Sequence, residues 1–359
     1  MNDVGVIAIG RNEGERLRRC LASVAGAGVP VVYVDSASTD GSVAIARSLG
    51  AEVVELDMSK PFCAARGRNE GFERLMEVAP GVRYVQFVDG DCEVVDGWLE
   101  RGRSELEARP EVAVVGGRRR ERFPDRSVYN RLADVEWDSP VGEVQSCGGD
   151  AMMRVDAFRT VGMFDPTVAA GEEPELCQRL RERGHKVLRV DAEMTLHDSA
   201  MLHFRQWWKR AVRSGYGATD VATRFGKQGL FVKQVSSARA WAIGWPAMIV
   251  LGFAVSFGTL RSSGAAISTA LVVSVACAAL LVAVLPVQML RVASKIRPRT
   301  PDWNTVLAYG MLTMVGKWAN AWGQFQYVRD RAAGKNTRLI DYKAATKPSS
   351  CATPITKPT

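Results

Sequence analysis

Tyr84-Val85-Gln86-Phe87-Val88-Asp89-Gly90-Asp91 decides the reading of this chain. Five mostly β-favouring residues followed by Asp-Gly-Asp describe a buried strand. Such a strand delivers two carboxylates to the carboxyl edge of a sheet, where α/β folds bind ligands. Oxygen ligands there suit Mg²⁺ or Mn²⁺, which take one or two protein carboxylates and leave the other positions to water and substrate phosphates. Asp-Gly is also a common turn dipeptide, so the segment alone leaves both readings open.

The residues upstream alternate in type. Val4-Gly5-Val6-Ile7-Ala8-Ile9 runs into the polar Arg11-Asn12-Glu13, after which Leu17, Cys20, Leu21 and Val24 recur at helical spacing. Val31-Val32-Tyr33-Val34 closes on Asp35-Ser36-Ala37-Ser38-Thr39-Asp40-Gly41, and a helical segment through Val43, Ile45, Ala46 and Leu49 leads to Val53-Val54-Glu55-Leu56. Strands alternating with helices over short connections predict a parallel sheet with right-handed crossovers. Another helix is expected over Cys63 to Met76, and near its start the guanidinium of Arg66 or Arg68 could pair with a phosphate oxygen. Either could equally be a solvated charge.

Four segments, Ile7 to Glu13, Val34 to Gly41, Asp89-Gly90-Asp91 and Gly171-Glu172-Glu173, resemble in order and spacing the family 2 glycosyltransferases of the GT-A fold, of the membrane-anchored bacterial type. Ser36 stands where that family usually has a second Asp, and Glu172-Glu173 where it usually has Glu-Asp. The resemblance implies an α/β fold with a Rossmann-like, mostly parallel sheet, a nucleotide-sugar donor, and Mn²⁺ or Mg²⁺ as cofactor. It implies that Asp35 binds the nucleotide base and that Asp89 and Asp91 hold the cation, with Asp91 the more direct ligand. Gln145-Ser146-Cys147-Gly148-Gly149-Asp150-Ala151-Met152 is similar to the family's loop that contacts donor sugar and acceptor, which assigns Gly149 and Asp150 to the donor. Adjacent glycines let backbone approach a ligand closely, although a plain tight turn uses them too. A histidine often follows the next strand in this family, so His197 becomes a third cation ligand, with His203 the other candidate.

The second acidic residue of the pair is the family's general base, which favours Glu173 over Glu172. Local sequence adds to this. Pro174 at the first helical position would make Glu173 the cap of a helix through Leu176, Cys177 and Leu180, with its carboxylate aimed outward. Glutamate is a poor cap. The helix dipole alone would also favour acidic residues there.

A chain of 359 residues, 47% of them hydrophobic, can bury a large core and carry an appendage. The formal charge of +8 is concentrated after Arg205, around the most apolar stretch, and points to an anionic membrane surface. No nucleic-acid motif is present. Seven cysteines, an odd number without a Cys-x-x-Cys pair, indicate neither a disulfide framework nor a zinc site. No signal peptide is expected, since the amino terminus is already strand-like.

Trp241 to Leu260 and Gly264 to Leu290 carry no charge, and each is long enough to cross a hydrocarbon core of roughly 30 Å as a helix. The short link Arg261-Ser262-Ser263 makes them a hairpin. Arg224, Lys227, Lys233 and Arg239 precede it and Arg291, Lys295, Arg297 and Arg299 follow, which places both long termini in the cytoplasm. Val306 to Val328 mixes Trp318 and Trp322 with Lys317, Asn320, Gln324 and Gln326, as a helix lying in the headgroup plane would. The interleaved aromatic and basic residues from His203 to Arg210 suit contact with headgroups or a lipid diphosphate.

The expectation is an inverting transferase at the inner membrane, multi-pass, with a cytoplasmic catalytic domain and a membrane-associated acceptor, a lipid-linked glycan. Its parts are a GT-A domain over 1–225, a hairpin over 226–300, an interfacial segment over 301–343 and a disordered tail over 344–359. A processive polysaccharide synthase is the alternative enzyme, but two spanning helices are too few for a channel. A silent scaffold is the other alternative, and it has no need for the convergence of Asp89, Asp91 and Glu173.

Overall fold

The apolar run at the amino terminus forms strand β1 (Val4–Gly10), whose Val4, Val6, Ile7 and Ala8 are fully buried, as a central parallel strand requires. Strands β2 (Val31–Asp35), β3 (Glu52–Glu55) and β4 (Tyr84–Asp89) lie parallel with it in the order β3-β2-β1-β4. Helices α1 (Glu15–Ala25), α2 (Ser42–Ser48) and α3 (Ala64–Val78) make the crossovers. Leu17, Cys20, Leu21 and Val24 form the buried face of α1, as their spacing predicts. The computed structural model describes residues 1–226 and 229–334; Lys227 and the tail expected beyond Lys343 lie outside the described residues.

The rest of the sheet is mixed. β5 (Cys92–Val94), α4 (Trp98–Ala108), β6 (Val112–Glu121), α5 (Val128–Glu136), β7 (Gly142–Glu143), β8 (Ala151–Arg154), α6 (Val155–Thr160), α7 (Glu172–Glu182) and β9 (Lys186–His197) follow in sequence. The nine-stranded sheet runs β3-β2-β1-β4-β8-β6-β9-β5, with β7 also on β9. β8 is antiparallel to both of its neighbours and β5 is antiparallel to β9. One face of the sheet packs Ile7, Val34 and Phe87 against Phe72, Phe158 and Phe164; the other packs Val6, Tyr33 and Val88 against Leu17 and Trp98. Phe72 meets Phe158 edge-on at 4.9 Å, a geometry that adds about 1 kcal/mol to the area it buries.

Helix α7 differs from expectation. It begins at Glu172, with Gly171 as its cap at φ 87°, so Glu173 lies inside the first turn instead of capping it. A left-handed cap suits glycine. Pro174 is tolerated inside the first turn because the N–H groups there have no helical partner in any case.

Past the sheet, α8 (Phe204–Phe225) leads to α9 (Val232–Arg239), which continues through a π turn at Ala240–Gly244 into α10 (Trp245–Ser262). A turn reverses the chain into α11 (Ile267–Ser294), and α12 (Trp303–Ala332) closes the described fold. Val232–Ser262 and Ile267–Arg299, 31 and 33 residues with mean hydropathy 1.7 and 2.8, are candidate membrane spans. No residue of α10 is buried. Bare apolar flanks on this scale mark a surface that meets something apolar.

Helix α12 bridges the two parts. Its Gly323 lies so close to α8 that a Cβ would sit 2.1 Å from the Val212 carbonyl oxygen, and its Gly310 would meet the Met289 carbonyl of α11 at 2.4 Å. Away from these contacts Trp303, Leu307, Met311, Trp318, Trp322 and Phe325 are exposed. Steps of three, four and seven residues put them on one stripe.

Candidate functional site

Strand register assembles the site. Gly10 of β1 lies opposite Asp35 and Ile9 opposite Asp89, so the carboxyl ends of three neighbouring strands meet at one edge. The short β5 then pairs with the end of β9, setting Cys92 opposite His197. That pairing brings His197 Nε2 to 3.1 Å from Asp91 Oδ2. The Trp137 ring covers the His197 ring at 4.7 Å between centroids. The other ring nitrogen of His197, Nδ1, is buried and has no hydrogen-bond partner among the described residues.

These groups open on a cleft of about 670 Å³ that Asp89, Asp91, His197, Arg68, Glu172 and Glu173 help to line, a size ordinary for small-molecule sites. Arg68, buried in its floor, reaches Asp89 Oδ1 at 2.8 Å and Glu172 Oε1 at 2.7 Å. Arg119 reaches Asp150 Oδ2 at 2.8 Å and Asp89 Oδ2 at 4.0 Å. Burial works against both guanidinium charges, yet the surrounding carboxylates win and hold both above their ordinary range: Asp89 and Glu172 for Arg68, Asp150 above all for Arg119. Gly149 makes room for this arrangement, since a Cβ there would lie 2.8 Å from Arg68 Nη2.

Several residues singled out from sequence sit elsewhere than expected. Asp150 is wholly buried and does not face the cleft: it accepts the Asp89 N–H at 3.0 Å and the Thr195 hydroxyl at 2.9 Å, and so positions the end of β4. Arg66 turns away to Glu70 at 2.6 Å and the Lys60 carbonyl at 3.1 Å, because residues two apart on a helix face different ways. Asp35 is buried, accepting the Tyr33 hydroxyl at 2.9 Å and the Ser38 N–H at 2.7 Å, while its neighbour Ser36 reaches the cleft wall. His203 precedes α8, its N–H bonded to Gln206 Oε1 at 3.0 Å, and lies outside the cleft.

The two glutamates at the start of α7 differ in partners. Glu172 is taken by Arg68. Glu173 makes its contacts through Oε1, accepting the Cys147 N–H at 2.8 Å and meeting Cys177 Sγ at 3.0 Å and Cys147 Sγ at 3.6 Å. The hydrogen bond to Cys147, burial and Glu173 itself push the Cys177 thiol far above its ordinary range, so it stays a neutral donor. Glu173 is therefore held by neutral groups at the first turn of α7.

Ligand atoms of Asp91, Cys92 and His197 lie within 4.8 Å of one another. A carboxylate beside an imidazole with an orphaned nitrogen could hold Mn²⁺ or Mg²⁺. Asp89 is engaged by Arg68, which separates it from Asp91, the residue that the sequence reading names as the more direct ligand. Arg119 and Trp137 also line the cleft and escaped the sequence reading, and Glu13, the end of the first segment that carries the resemblance, lines it beside them. Only Arg119 left a signal, as the middle of the basic run Arg118-Arg119-Arg120 that ends an otherwise apolar strand.

Residues 6–162 match the model of glycosyl transferase family 2. The chain is 31% identical over 242 residues to the pre-mycofactocin glycosyltransferase of Mycobacterium tuberculosis, an alignment that covers 62% of this chain and 48% of that one. It thus spans about half the length of that relative. To glycosyltransferase AglE of Haloferax volcanii it is 25% identical over 233 residues, covering 61% of this chain and 73% of that protein. Its fold is similar to that of the mannosyltransferase PcManGT of Pyrobaculum calidifontis, solved with GDP-Man and Mn²⁺. The TM-score is 0.57 at 17% identity, over 92% of this chain and 88% of that one.

Proposed function

We propose, from the premise that residues 6–162 are a family 2 glycosyltransferase domain on the GT-A fold, that this chain moves a sugar from a nucleotide-sugar donor to an acceptor held at a membrane, with inversion at the anomeric carbon. The convergence of Asp91, His197 and Glu173 on one cleft carries this reading. In the proposed reaction the acceptor oxygen attacks the anomeric carbon from the face opposite the leaving nucleoside diphosphate. The new carbon–oxygen bond forms as the bond to the diphosphate breaks, and the hydroxyl proton passes to Glu173. A single displacement inverts the centre. Glu173 suits a base because no cation among the described residues holds its carboxylate, whereas Glu172 is already committed to Arg68.

The remaining residues bind and orient. Ser36 at the end of β2 would meet the nucleotide, with Asp35 behind it fixing the turn through the Ser38 N–H. Asp150, Arg119 and Arg68 fix Asp89 from below. A divalent cation held by Asp91 and His197, with Asp89 beside them, would offset the charge developing on the diphosphate. The mannosyltransferase of Pyrobaculum calidifontis binds GDP-Man with Mn²⁺, which makes a nucleotide sugar with that cation the first donor to try. Helices α10 and α11 would anchor the domain as a hairpin, and the exposed stripe of α12 would lie in the headgroup plane.

The test is a panel of nucleotide sugars offered to the full chain in neutral detergent with Mn²⁺. One of them should raise the melting temperature and release nucleoside diphosphate. A protein that neither shifts nor releases with any donor would contradict the reading.

A further inference from the structure

A second cavity, of about 390 Å³, opens beside the cleft between α5, α8 and α12. Arg210, Ser214 and Gln234 line both, so the two spaces adjoin. Its character is divided. Leu132, Trp207, Tyr309 and Leu312 give it apolar walls, while Arg210 and Lys317 bring cations. One acid faces them: Glu136, 3.6 Å from Arg210 Nη1. Lys317 has no carboxylate partner among the described residues; its ammonium donates to Ser237 Oγ at 3.1 Å. Burial, with Lys295 nearby, pulls that amine below its ordinary range. A half-buried ammonium without a counter-charge is costly to keep unless an anion completes it. The same α12 carries the exposed apolar stripe on its other side and packs along α11, so the cavity stands where the sheet domain meets the apolar helices.

We infer that this cavity receives the phosphate and first hydrocarbon segment of a lipid-phosphate acceptor, the phosphate between Arg210 and Lys317 and the chain along Tyr309 and Leu312. The acceptor oxygen beyond the phosphate then enters the cleft past Ser214. A water-soluble sugar acceptor has no use for hydrocarbon walls, and an uncharged lipid has none for paired cations. The inference rests on the reading of the cleft as a sugar-transfer site.

The probe is dodecyl phosphate carrying a diazirine on its chain, applied to the full chain in neutral detergent, with labelled residues located by mass spectrometry. Label is expected on Leu132, Tyr309 or Leu312, displaced by unlabelled dodecyl phosphate but not by equal inorganic phosphate or phosphatidylglycerol. Lys317→Met should cut the labelling about tenfold, the scale of one lost charge-assisted hydrogen bond, and Lys317→Arg should restore it. Unchanged nucleotide binding and melting in both variants exclude misfolding as the cause. Label confined to Met311, Trp318 or Phe325 and indifferent to Lys317→Met would overturn the site. Equal displacement by inorganic phosphate would make it a free-anion site, and equal displacement by phosphatidylglycerol a bulk-lipid site; either overturns the proposal. A protein that binds a nucleotide sugar but takes no label in the cavity sinks this inference alone. One labelled there that binds no nucleotide sugar sinks the transferase reading and supports the site.

Discussion

Arg68 and Glu172 form a buried ion pair, Nη1 to Oε1 at 2.7 Å, and it divides the labour of two glutamates adjacent in sequence. Glu172→Gln would remove one of the two carboxylates that pair directly with Arg68 among the described residues, and the Arg68 side chain is 3% exposed. Breaking a buried pair from one side costs about 3 kcal/mol. Glu173→Gln keeps an acceptor for the Cys147 N–H and should cost less than about 1 kcal/mol. Thermal melting of the two variants in detergent should therefore separate them, with Glu172→Gln the lower. Equal melting temperatures would mean that the ion pair does not organise the cleft.

The contact between Asp91 and His197 predicts a cation site that can be read without turnover. Asp91→Asn and His197→Ala should each weaken Mn²⁺ binding about tenfold or more, followed by electron paramagnetic resonance of the ion. Asp91→Asn should also lower turnover by at least about 10²-fold, the scale of one lost electrostatic stabiliser. Full transfer activity in excess EDTA would contradict both.

Much of this was legible in the sequence, and the boundary has physical causes. β1, β2 and β4 are continuous apolar runs that end in polar or acidic turns, so their place in a parallel sheet follows from composition alone. β5, β7 and β8, with three, two and four residues, are too short to show a period and come from long-range pairing. That pairing is what sets His197 beside Asp91, so the resemblance could name His197 while the local residues could not. Trp137 reaches the cleft from just past the end of α5, where nothing in its neighbours marks it. Asp150 is assigned to the donor on sequence because its loop resembles the one that contacts donor sugar and acceptor in the family. Its burial follows from the Asp89 N–H and Arg119 that surround it, neither of them near it in sequence.

Helix α12 should couple the apolar hairpin to the sheet domain. Gly323→Ala would place a Cβ 2.1 Å from the Val212 carbonyl oxygen, a contact that only separation of α8 and α12 relieves. Overpacking of this kind costs about 1–3 kcal/mol. The variant should melt earlier and be cleaved sooner by protease between the two parts. Gly258→Ala, with nothing near its Cβ, is the control and should behave as wild type.

If basic flanks hold both ends inside, tags at the amino terminus and after Gly334 should be protected in intact cells. A cysteine at Ser262 or Ser263, in the turn between α10 and α11, should react with an impermeant reagent. A carboxyl-terminal tag found outside would mean that α12 crosses the membrane instead of lying on it.

Glu173→Gln tests the central claim most directly. The substitution keeps size and hydrogen-bonding capacity, so donor and Mn²⁺ binding, which depend on other residues, should persist while the proton acceptor is gone. With the donor identified by the nucleotide-sugar panel, sugar transfer to membrane acceptor should fall by about 10²- to 10⁴-fold, almost wholly in turnover, with the donor's dissociation constant unchanged. Transfer at the wild-type rate in Glu173→Gln, with Glu172→Gln inactive yet properly folded, would contradict the account.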